Sequence, residues 1–266
     1  MHILITGTSG YIGNHLLKMI RREFMGALIS VADPKDGGVD YRTLKGHDFD
    51  LVFHLGAIST IMDSFARADE MMDINALGLI PFFQNNGVGK FIFSSTGAIY
   101  GNMEHPMKEY EARWMDCLAP YAQTKYVAEG IINRMCPNHM IARFGNVFGG
   151  NYLPRTEWLA PRHFMEDNPI VIHGGTQIRD FIHVNTVCKA LIKSAIRSDV
   201  VGTFNIANGQ GEHLKDIAKM FADERGVELI FKPLRGGDAE YVVLNVDKAR
   251  AAGLIPQQPE VNDYHS

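Results

Sequence analysis

The sequence predicts an α/β protein with a doubly wound parallel sheet and a smaller C-terminal lobe. First, an apolar run at residues 2–6 meets a glycine-rich turn, and apolar residues then follow helical spacing. Second, apolar runs alternate with helical patterns up to about residue 150, as in a parallel sheet covered by helices on both faces. Third, Pro154, Pro161 and Pro169 interrupt a section of shorter elements after that point.

The glycine-rich turn has the spacing Gly7-x-x-Gly10-x-x-Gly13, and the helical pattern that follows it extends to Ile20. Glycines allow the backbone to turn sharply and to approach a phosphate without a Cβ in the way. The N-terminus of the following helix presents unpaired N–H groups and about half a positive charge. The turn therefore predicts a pyrophosphate site, and Tyr11 and Ile12 fall within it.

A second apolar run, residues 28–32, ends at Asp33, twenty residues after Gly13. A carboxylate in this position accepts hydrogen bonds from the ribose hydroxyls of adenosine and repels a 2′-phosphate. Strand, turn, helix, strand and acidic residue together predict a Rossmann-type domain that binds NAD rather than NADP.

The remaining predicted elements of this domain are strands and helices between residues 42 and 144. Residues 90–96 form a strand whose hydroxyl residues stand at its C-terminal end, the edge where open parallel sheets bind ligands. A helix is expected at about 65–86, strained or broken near Pro81, since proline removes one helical hydrogen bond. The other predicted elements are a helical turn at 42–47, strands at 50–55 and 140–144, and a helix from 121 to about 135.

The C-terminal section contains short predicted strands at 170–173 and 181–183 and predicted helices at 184–197 and 214–225. We assign residues 1–150 to an NAD-binding domain, to which residues 175–205 are expected to return. Residues 151–266 are then mainly a substrate-binding lobe, shortened at its C-terminus.

The composition excludes several classes of protein. Apolar residues make up 46% and charged residues 21% of the 266, and the net charge is −4 with dispersed basic residues, which gives no support to nucleic-acid binding. No apolar run has membrane-spanning length, and residues 2–6 already form a strand, so neither a membrane span nor a signal peptide is expected. Three separated cysteines and scattered histidines predict no disulfide or metal site, and the expected compartment is the cytoplasm.

A candidate catalytic pair lies at Tyr121-x-x-x-Lys125, where a phenol and an ammonium are one helical turn apart. The spacing alone is weak, because Tyr41-x-x-x-Lys45 has it too. Position favours Tyr121, because it lies 25 residues after Thr96 and on the helix after the strand that should reach the nicotinamide.

Further motifs reveal a resemblance that covers nearly the whole chain. The glycine-rich turn, the segment from Ser94 to Gly101 and the Tyr121-x-x-x-Lys125 pair resemble the extended short-chain dehydrogenases, the NAD-dependent nucleotide-sugar epimerase/dehydratase family. Segments 143–149, 179–184 and 235–238 resemble further motifs of that family, in the same order along the chain.

The resemblance implies a role for each catalytic candidate. Tyr121 would take a proton from a sugar hydroxyl while the adjacent C–H gives hydride to NAD⁺. Lys125 would hold the nicotinamide ribose and favour the phenolate, because free tyrosine titrates near pH ~10. Thr96 would bind the reacting sugar oxygen. Family members that dehydrate sugars carry an acid pair after this threonine, whereas this chain has Gly97 and Ala98. The sequence therefore resembles 4-epimerases such as UDP-glucose 4-epimerase, which act through a transient 4-keto sugar.

The resemblance also implies binding residues and partners. Helices near 65–86 and 121–135 pair across a homodimer in this family, and a nucleotide sugar, most simply a UDP-sugar, is the expected substrate. Trp158 departs from the family, since 4-epimerases often have asparagine there. The implied cofactor contacts are Asp40, Tyr41, Leu55, Gly56, Ala57, Asn75 and Ser94, and the implied substrate contacts are Ser59, Thr96, Asn146, Arg179, Arg235 and Asp238.

Two other functions stay open at this point. A reductase or epimerase–reductase acting on a nucleotide deoxysugar would consume NAD(P)H in stoichiometric amounts, although Asp33 opposes the NADPH form. A non-catalytic NAD-sensing module would keep the fold alone, but such modules commonly lose the Tyr-Lys pair.

Overall fold

A computed structural model describes residues 1–102, 104–150 and 160–265 of the chain, without the side chains of residues 36, 160 and 161. Trp158 lies outside the described residues. The strands, in chain order, are β1 (His2–Thr6), β2 (Leu28–Ala32), β3 (Asp48–His54), β4 (Gly87–Thr96), β5 (His139–Phe144), β6 (Asn146–Phe148), β7 (Ile170–His173), β8 (Ile178–His183), β9 (Gly202–Ile206), β10 (Gly211–His213), β11 (Leu229–Lys232) and β12 (Tyr241–Val242).

The α-helices have the lengths of an ordinary α/β domain, and short 3₁₀ turns lie between them. No helix in the described part of the chain combines the length and apolarity needed to cross a membrane. The helices are α1 (Tyr11–Glu23), α2 (Ile61–Ala66), α3 (Ala68–Met72), α4 (Leu79–Asn85), α5 (Pro120–Met135), α6 (Ala160–Glu166), α7 (Val184–Ala195), α8 (Leu214–Arg225) and α9 (Asp247–Ala251).

The main sheet has six parallel strands in the order β2-β1-β3-β4-β5-β9. The predicted doubly wound parallel sheet is therefore confirmed. The direction of winding reverses between β1 and β3, where Thr6 is in register with His54. Ligands of such sheets bind outside the carboxyl ends of the strands at this reversal point.

Both faces of the main sheet are covered by helices, which explains why its strands are nearly continuous apolar runs. Alternate side chains of β1 point to opposite faces: Ile3 and Ile5 pack with Leu16 of α1, whereas Leu4 packs with Phe82 of α4. All five of these side chains are at most 1% exposed. The two apolar layers hold the strand ends in place at the carboxyl edge.

The predicted helix at 65–86 is not continuous. Helix α2 begins earlier, at Ile61, and the chain then passes through α3, a π-helical turn (Asp73–Leu77) and α4. The breaks fall at Arg67 and Gly78 and not at Pro81. Pro81 is the third residue of α4, where its missing N–H would have no helical partner anyway.

The C-terminal part forms a smaller layer around β8. Strands β10, β8 and β12 form one sheet with β6 beside β8, and β11 pairs with β7. Phe164, Phe181, Ile217 and Phe221 lie in its apolar core. Residues 184–206 return to the main sheet as α7 and β9, while the division into two domains stays a prediction.

Candidate functional site

The glycine-rich turn connects β1 to α1 and leaves no room for a side chain at its first glycine. Gly7 has φ +73°, and a Cβ there would lie 2.5 Å from the backbone nitrogen of Gly56. Its carbonyl accepts a hydrogen bond from the N–H of Gly10 at 3.1 Å. The turn therefore packs closely against the backbone that follows β3.

Helix α1 begins directly after Gly10, and its first turn contains no acidic residue. Its unpaired N–H groups and positive helix end therefore meet no competing carboxylate on the helix. Nothing but the carbonyl of Gly7, at 3.2 Å, would lie near a Cβ at Gly10. The backbone at this point is open to an approaching diphosphate, as a dinucleotide requires.

Asp33 lies at the end of β2 and is only 4% exposed. Its carboxylate accepts hydrogen bonds from the backbone N–H of Ser9 at 2.7 Å and of Lys35 at 3.1 Å. These two bonds fix the carboxylate between the glycine-rich turn and the end of β2. Each oxygen keeps a further lone pair for a ribose hydroxyl.

A cavity of about 360 Å³ runs along the carboxyl edge from this turn to the start of α5, within the usual size range of cofactor sites. It brings together most of the residues that the sequence assigned to cofactor or substrate. Those lining it are Gly7, Gly10, Tyr11, Ile12, Gly13, Asp33, Asp40, Tyr41, Leu55, Gly56, Ala57, Ser59, Ser94, Tyr121 and Lys125.

The sequence did not indicate several other lining residues. Arg42 is held between two carboxylates: its Nη2 lies 2.6 Å from Asp40 Oδ2, and its Nη1 pairs with Asp73. Arg67 and Glu70 form a half-exposed ion pair at the same cavity. The contact between Arg42 and Asp73 depends on the broken course of α2 to α4, and no motif in the sequence marks that course.

Asn75 does not line the cavity. It is 1% exposed on the π-helical turn and makes two hydrogen bonds of 2.9 Å with the backbone N–H and carbonyl of Ile58. Its amide also donates to Thr124 Oγ1 at 3.1 Å, and that hydroxyl donates to the carbonyl of Tyr121 at 2.8 Å. In the structure, Asn75 ties the loop after β3 to α5, and its cofactor contact stays a prediction.

Lys125 points from α5 to the end of β4. Its ammonium donates to the carbonyl of Ser94 at 2.8 Å and lies 4.6 Å from the ring centre of Phe93. Burial lowers the pKa of Lys125 to about 7, and the negative charge of Glu129 opposes that change. The ammonium thus holds its proton weakly near neutral pH.

The lowered pKa gives a stability prediction. Below about pH 7, Lys125 is charged in both the folded and the unfolded chain, so the full cost of burial is present. As pH rises toward 10.5 only the unfolded chain keeps the proton, and folding becomes more favourable. As the pH rises, the free energy of unfolding of Lys125→Met should therefore fall relative to that of the unmodified protein, by about 1.4 kcal/mol per pH unit at most. Urea unfolding at about pH 7 and about pH 9.5 measures this, and a constant difference would contradict it.

The second Tyr-x-x-x-Lys sequence does not form a catalytic pair. Tyr41 begins a 3₁₀ turn (Tyr41–Thr43) rather than a helix, so Lys45 is not placed above it. The Tyr41 hydroxyl donates to the carbonyl of Ile74 at 2.6 Å, and burial raises the pKa of this phenol. Tyr41 therefore forms a wall of the cavity.

Thr96 ends β4, directly before a 3₁₀ turn (Gly97–Tyr100). Its hydroxyl accepts a hydrogen bond from the N–H of Ala98 at 3.1 Å. Thr96 does not line the cavity, although Ser94, Ser95 and the half-buried Tyr121 do. Its contact with a sugar oxygen stays a prediction.

The other predicted substrate residues, apart from Ser59, lie on or near β8 and do not line the cavity. Asn146 is in register with Phe181 of β8. The Arg179 guanidinium donates to the carbonyls of Ala239 at 2.6 Å and Glu240 at 3.3 Å, which anchors the segment that follows Asp238. Arg235 and Asp238 share a turn in which the N–H of Asp238 donates to the carbonyl of Arg235 at 3.3 Å.

This segment also contacts the first part of the chain. A Cβ at Gly237 would lie 2.9 Å from the ring of Phe65 on α2 and 3.3 Å from Ala119, just before α5. Residues 235–238 thus lie beside α2 and the start of α5, the helix whose Tyr121 and Lys125 line the cavity. Of the predicted substrate residues, Arg179 is connected to this segment through its hydrogen bonds to Ala239 and Glu240.

The sequence model of the NAD dependent epimerase/dehydratase family matches residues 3–207. Among curated proteins, a putative UDP-glucose 4-epimerase of Methanocaldococcus jannaschii is 27% identical over 96% of this chain and 93% of its own length. A UDP-glucose 4-epimerase of Mycoplasma genitalium is 27% identical over 93% of this chain and 82% of its own length.

Solved structures have the same fold. The UDP-glucose 4-epimerase of Thermotoga maritima, solved with UDP-glucose, superposes with a TM-score of 0.80 at 25% identity, covering 98% of this chain and 94% of that chain. MoeE5, solved with UDP-glucuronic acid and NAD, superposes with a TM-score of 0.85 at 25% identity, covering 98% of this chain and 95% of that chain.

Proposed function

The chain belongs to the NAD-dependent epimerase/dehydratase family, and from that premise we propose that it is an NAD-dependent UDP-sugar 4-epimerase acting through a transient 4-keto sugar. One observation carries the proposal: Tyr121 and Lys125 line the same cavity as the glycine-rich turn and Asp33. A dinucleotide bound with its diphosphate at Gly10 would have to extend along this cavity toward that pair. The relatives named above carry the same activity in their names.

Each residue of the pair has a defined task. Tyr121 takes the proton from the sugar 4-hydroxyl. It returns a proton after the keto sugar has rotated to present its other face. Lys125, close to losing its own proton, supplies the positive charge that favours the phenolate. NAD, held by the glycine-rich turn and Asp33, would supply the hydride acceptor for the sugar carbon and the donor for its return to the opposite face. The oxidation is thus reversed within one turnover.

The end of β4 supports epimerisation over elimination of water. Elimination needs acid–base groups beside the threonine, and this chain has Gly97 and Ala98 there. A Cβ at Gly97 would lie 3.0 Å from the side chain of Leu244 and 3.2 Å from the carbonyl of Phe144. A side chain at this position would therefore press on both neighbours.

The direct test is incubation with UDP-glucose, UDP-galactose and their N-acetyl and uronic-acid relatives, each followed by NMR or chromatography. We expect interconversion of at least one 4-epimer pair, with no net change in NADH absorbance. A reductase would instead consume NAD(P)H in proportion to product. Absence of any epimer from all of these sugars would refute the proposal.

Asp33→Asn should change the cofactor preference. The amide keeps the shape of the side chain but loses the charge that accepts the ribose hydroxyls and repels a 2′-phosphate. We expect NAD to bind about tenfold or more weakly, because hydrogen bonds to charged groups contribute about 1.5–3 kcal/mol, while the affinity for NADP rises. Fluorescence titration with both cofactors measures the ratio. Asp223→Asn, on the exposed face of α8, is the control, and an equal ratio in both variants would contradict the assignment.

For the nucleotide sugar, we infer that Arg235 and Asp238 bind the diphosphate and ribose, with Asn146 and Ser59 facing the sugar. A guanidinium matches a diphosphate bidentately. Support comes from the position of residues 235–238 beside α2 and α5. Arg179 would act with them by holding the segment at Ala239 and Glu240.

We also infer that the protein is a homodimer that works in the cytoplasm. Phe65 and Leu77, within the segment 65–86 that is predicted to pair, are 52% and 44% exposed, which supports a contact between copies. The three cysteines are unpaired and buried, as is usual in a reducing compartment. Light scattering after size exclusion tests the dimer, and a monomeric mass would contradict it.

A further inference from the structure

A buried ion pair lies directly behind the Tyr-Lys pair. The guanidinium of Arg143 on β5 binds the carboxylate of Glu129 on α5 bidentately, with Nη2 2.6 Å from Oε2 and Nε 3.0 Å from Oε1. The two residues are 5% and 4% exposed. Glu129 is one helical turn beyond Lys125 and two turns beyond Tyr121, so all three lie on one face of α5.

The same carboxylate also connects the helix to the strand that reaches the site. Ser95 donates its hydroxyl hydrogen bond to Glu129 Oε1 at 2.6 Å, and Lys125 donates to the neighbouring carbonyl of Ser94 at 2.8 Å. Two successive residues of β4, immediately before Thr96, are therefore bonded to two successive turns of α5. Such paired links oppose both sliding and rotation of the helix against the strand.

Arg143 extends the connection to the other side of Thr96. Its Nη1 donates to the hydroxyl of Tyr100 at 2.9 Å and to the carbonyl of Glu109 at 2.7 Å. The Tyr100 hydroxyl donates in turn to Asn205 Oδ1 of β9 at 2.6 Å. The guanidinium is thus held from several elements and in turn holds the carboxylate of Glu129 in one orientation.

We propose that Glu129, oriented by Arg143, is a positioning residue that fixes Tyr121 and Lys125 of α5 against the end of β4. The inference rests on the proposed function, because it takes Tyr121 as the base. Burying an ion pair contributes little to stability compared with an apolar pair of similar volume. Its geometry instead accounts for the placement of the Tyr-Lys pair, where an error of about 1 Å can lower the rate about a hundredfold.

Glu129 also acts on Lys125 through its charge. The titratable groups that face Lys125 are Tyr121 and Glu129 on its own helix, His54 on β3, and Arg143 of β5 behind Glu129. Glu129 is the group that raises the pKa of Lys125 against the effect of burial. Loss of its charge should make Lys125 lose its proton at lower pH.

Two variants test the proposal at different points. Glu129→Gln keeps the shape and an acceptor for Ser95 but removes the charge. Ser95→Ala removes the link to β4 and leaves the ion pair intact, so it is informative even if Glu129→Gln does not fold. We expect each to lower kcat by about tenfold or more, with KM for the UDP-sugar changed by less than about threefold, as for a misplaced base. The double variant should lose less than the product of the two single losses, because both changes act through the same side chain at position 129.

Ser194→Ala is the matched control for Ser95→Ala. It removes a buried hydroxyl that donates to the carbonyl of Leu191 within α7 at 2.7 Å, and it leaves the ion pair and both links between α5 and β4 in place. We expect its kcat within about twofold of the unmodified enzyme. An equal loss of kcat in Ser194→Ala and Ser95→Ala would overturn the proposal, because the link to β4 would then act only through general stability.

The pH profile gives a readout that a purely structural role would not move. The alkaline limb of kcat, where Lys125 loses its proton, should shift to lower pH in Glu129→Gln and stay in place in Ser194→Ala. An unchanged limb together with unchanged kcat in Glu129→Gln would refute the inference. These outcomes require an active parent enzyme.

An inactive parent would refute the proposed function but not this inference. In that case, the ultraviolet absorbance of tyrosinate is titrated in NAD-loaded protein, with and without Tyr121→Phe, so that the difference reports Tyr121 alone. We expect the pKa of Tyr121 to be higher in the Glu129→Gln background, because Lys125 would be displaced or would lose its proton and would then favour the phenolate less. An identical pKa in both backgrounds would overturn the positioning role independently of turnover.

Discussion

Replacing Tyr121 by phenylalanine is expected to lower kcat for epimerisation by about a thousandfold, within the range that a positioned general base contributes. The ring would still fill its place at the cavity, but no phenolic oxygen would remain to take the proton of the sugar hydroxyl. Hydride transfer would then leave a protonated ketone, which is far less stable. Steady-state rates of UDP-galactose and UDP-glucose interconversion measure the loss.

The binding steps should be nearly unaffected by this change, because the hydroxyl acts on the reacting atoms. NAD affinity and KM for the UDP-sugar are expected to change by less than about threefold. Tyr126→Phe is the matched control: it lies on the same helix, packs against Trp114 with ring centres 6.2 Å apart, and is absent from the cavity wall. A Tyr121→Phe enzyme that keeps more than about a tenth of the parent rate would remove Tyr121 from the role of base.

Gly13→Ala is expected to have the largest effect on the fold. Gly13 lies in the first turn of α1 against the glycine-rich turn, and a Cβ there would be 2.0 Å from the carbonyl oxygen of Gly7 and 2.8 Å from its carbon. Both are backbone atoms, which cannot move without displacing α1 from β1. We expect the free energy of unfolding to fall by about 3 kcal/mol or more and NAD binding to be lost. Urea unfolding and NAD titration measure the two effects.

A matched glycine-to-alanine change separates this clash from a general effect of the substitution. Gly130 lies on the exposed side of α5, and a Cβ there would meet no atom within 4 Å. Gly130→Ala should therefore stabilise the protein by up to about 1 kcal/mol, the helix propensity difference between the two residues. Comparable stability of the two variants would show that α1 can shift at little cost, and the close packing at Gly13 would then have no role.

Several features of the site could be predicted from the sequence because they depend on neighbours along the chain. The turn at Gly7 and Gly10, the carboxylate at Asp33 and the spacing of Tyr121 and Lys125 are each local patterns. All of these residues line one cavity in the structure. The family, the parallel sheet and the NAD dependence predicted from them are confirmed.

Other features could not be predicted, because they depend on packing between distant segments. The break between α2 and α4 places Asn75 against Ile58, behind the cavity wall that Ile58 helps to form. Arg179 donates to a segment about sixty residues later. Helical spacing could have indicated Glu129, since it continues the series from Tyr121 and Lys125, but its partner Arg143 comes from a separate strand.

By itself, the sequence determined which chemistry this protein can carry: a diphosphate turn, an acidic ribose contact and a phenol with an ammonium one helical turn away. These are set by steric and hydrogen-bonding rules that act within a few residues. The position of Tyr121 along the chain already favoured it over Tyr41. Only the tertiary structure decided that Tyr41 begins a 3₁₀ turn, so that Lys45 is not placed above it, and which buried groups hold Tyr121 and Lys125 in place. The reason is physical: a residue's burial and charge environment come from strands and helices that are far apart along the chain and meet only when the sheet is assembled.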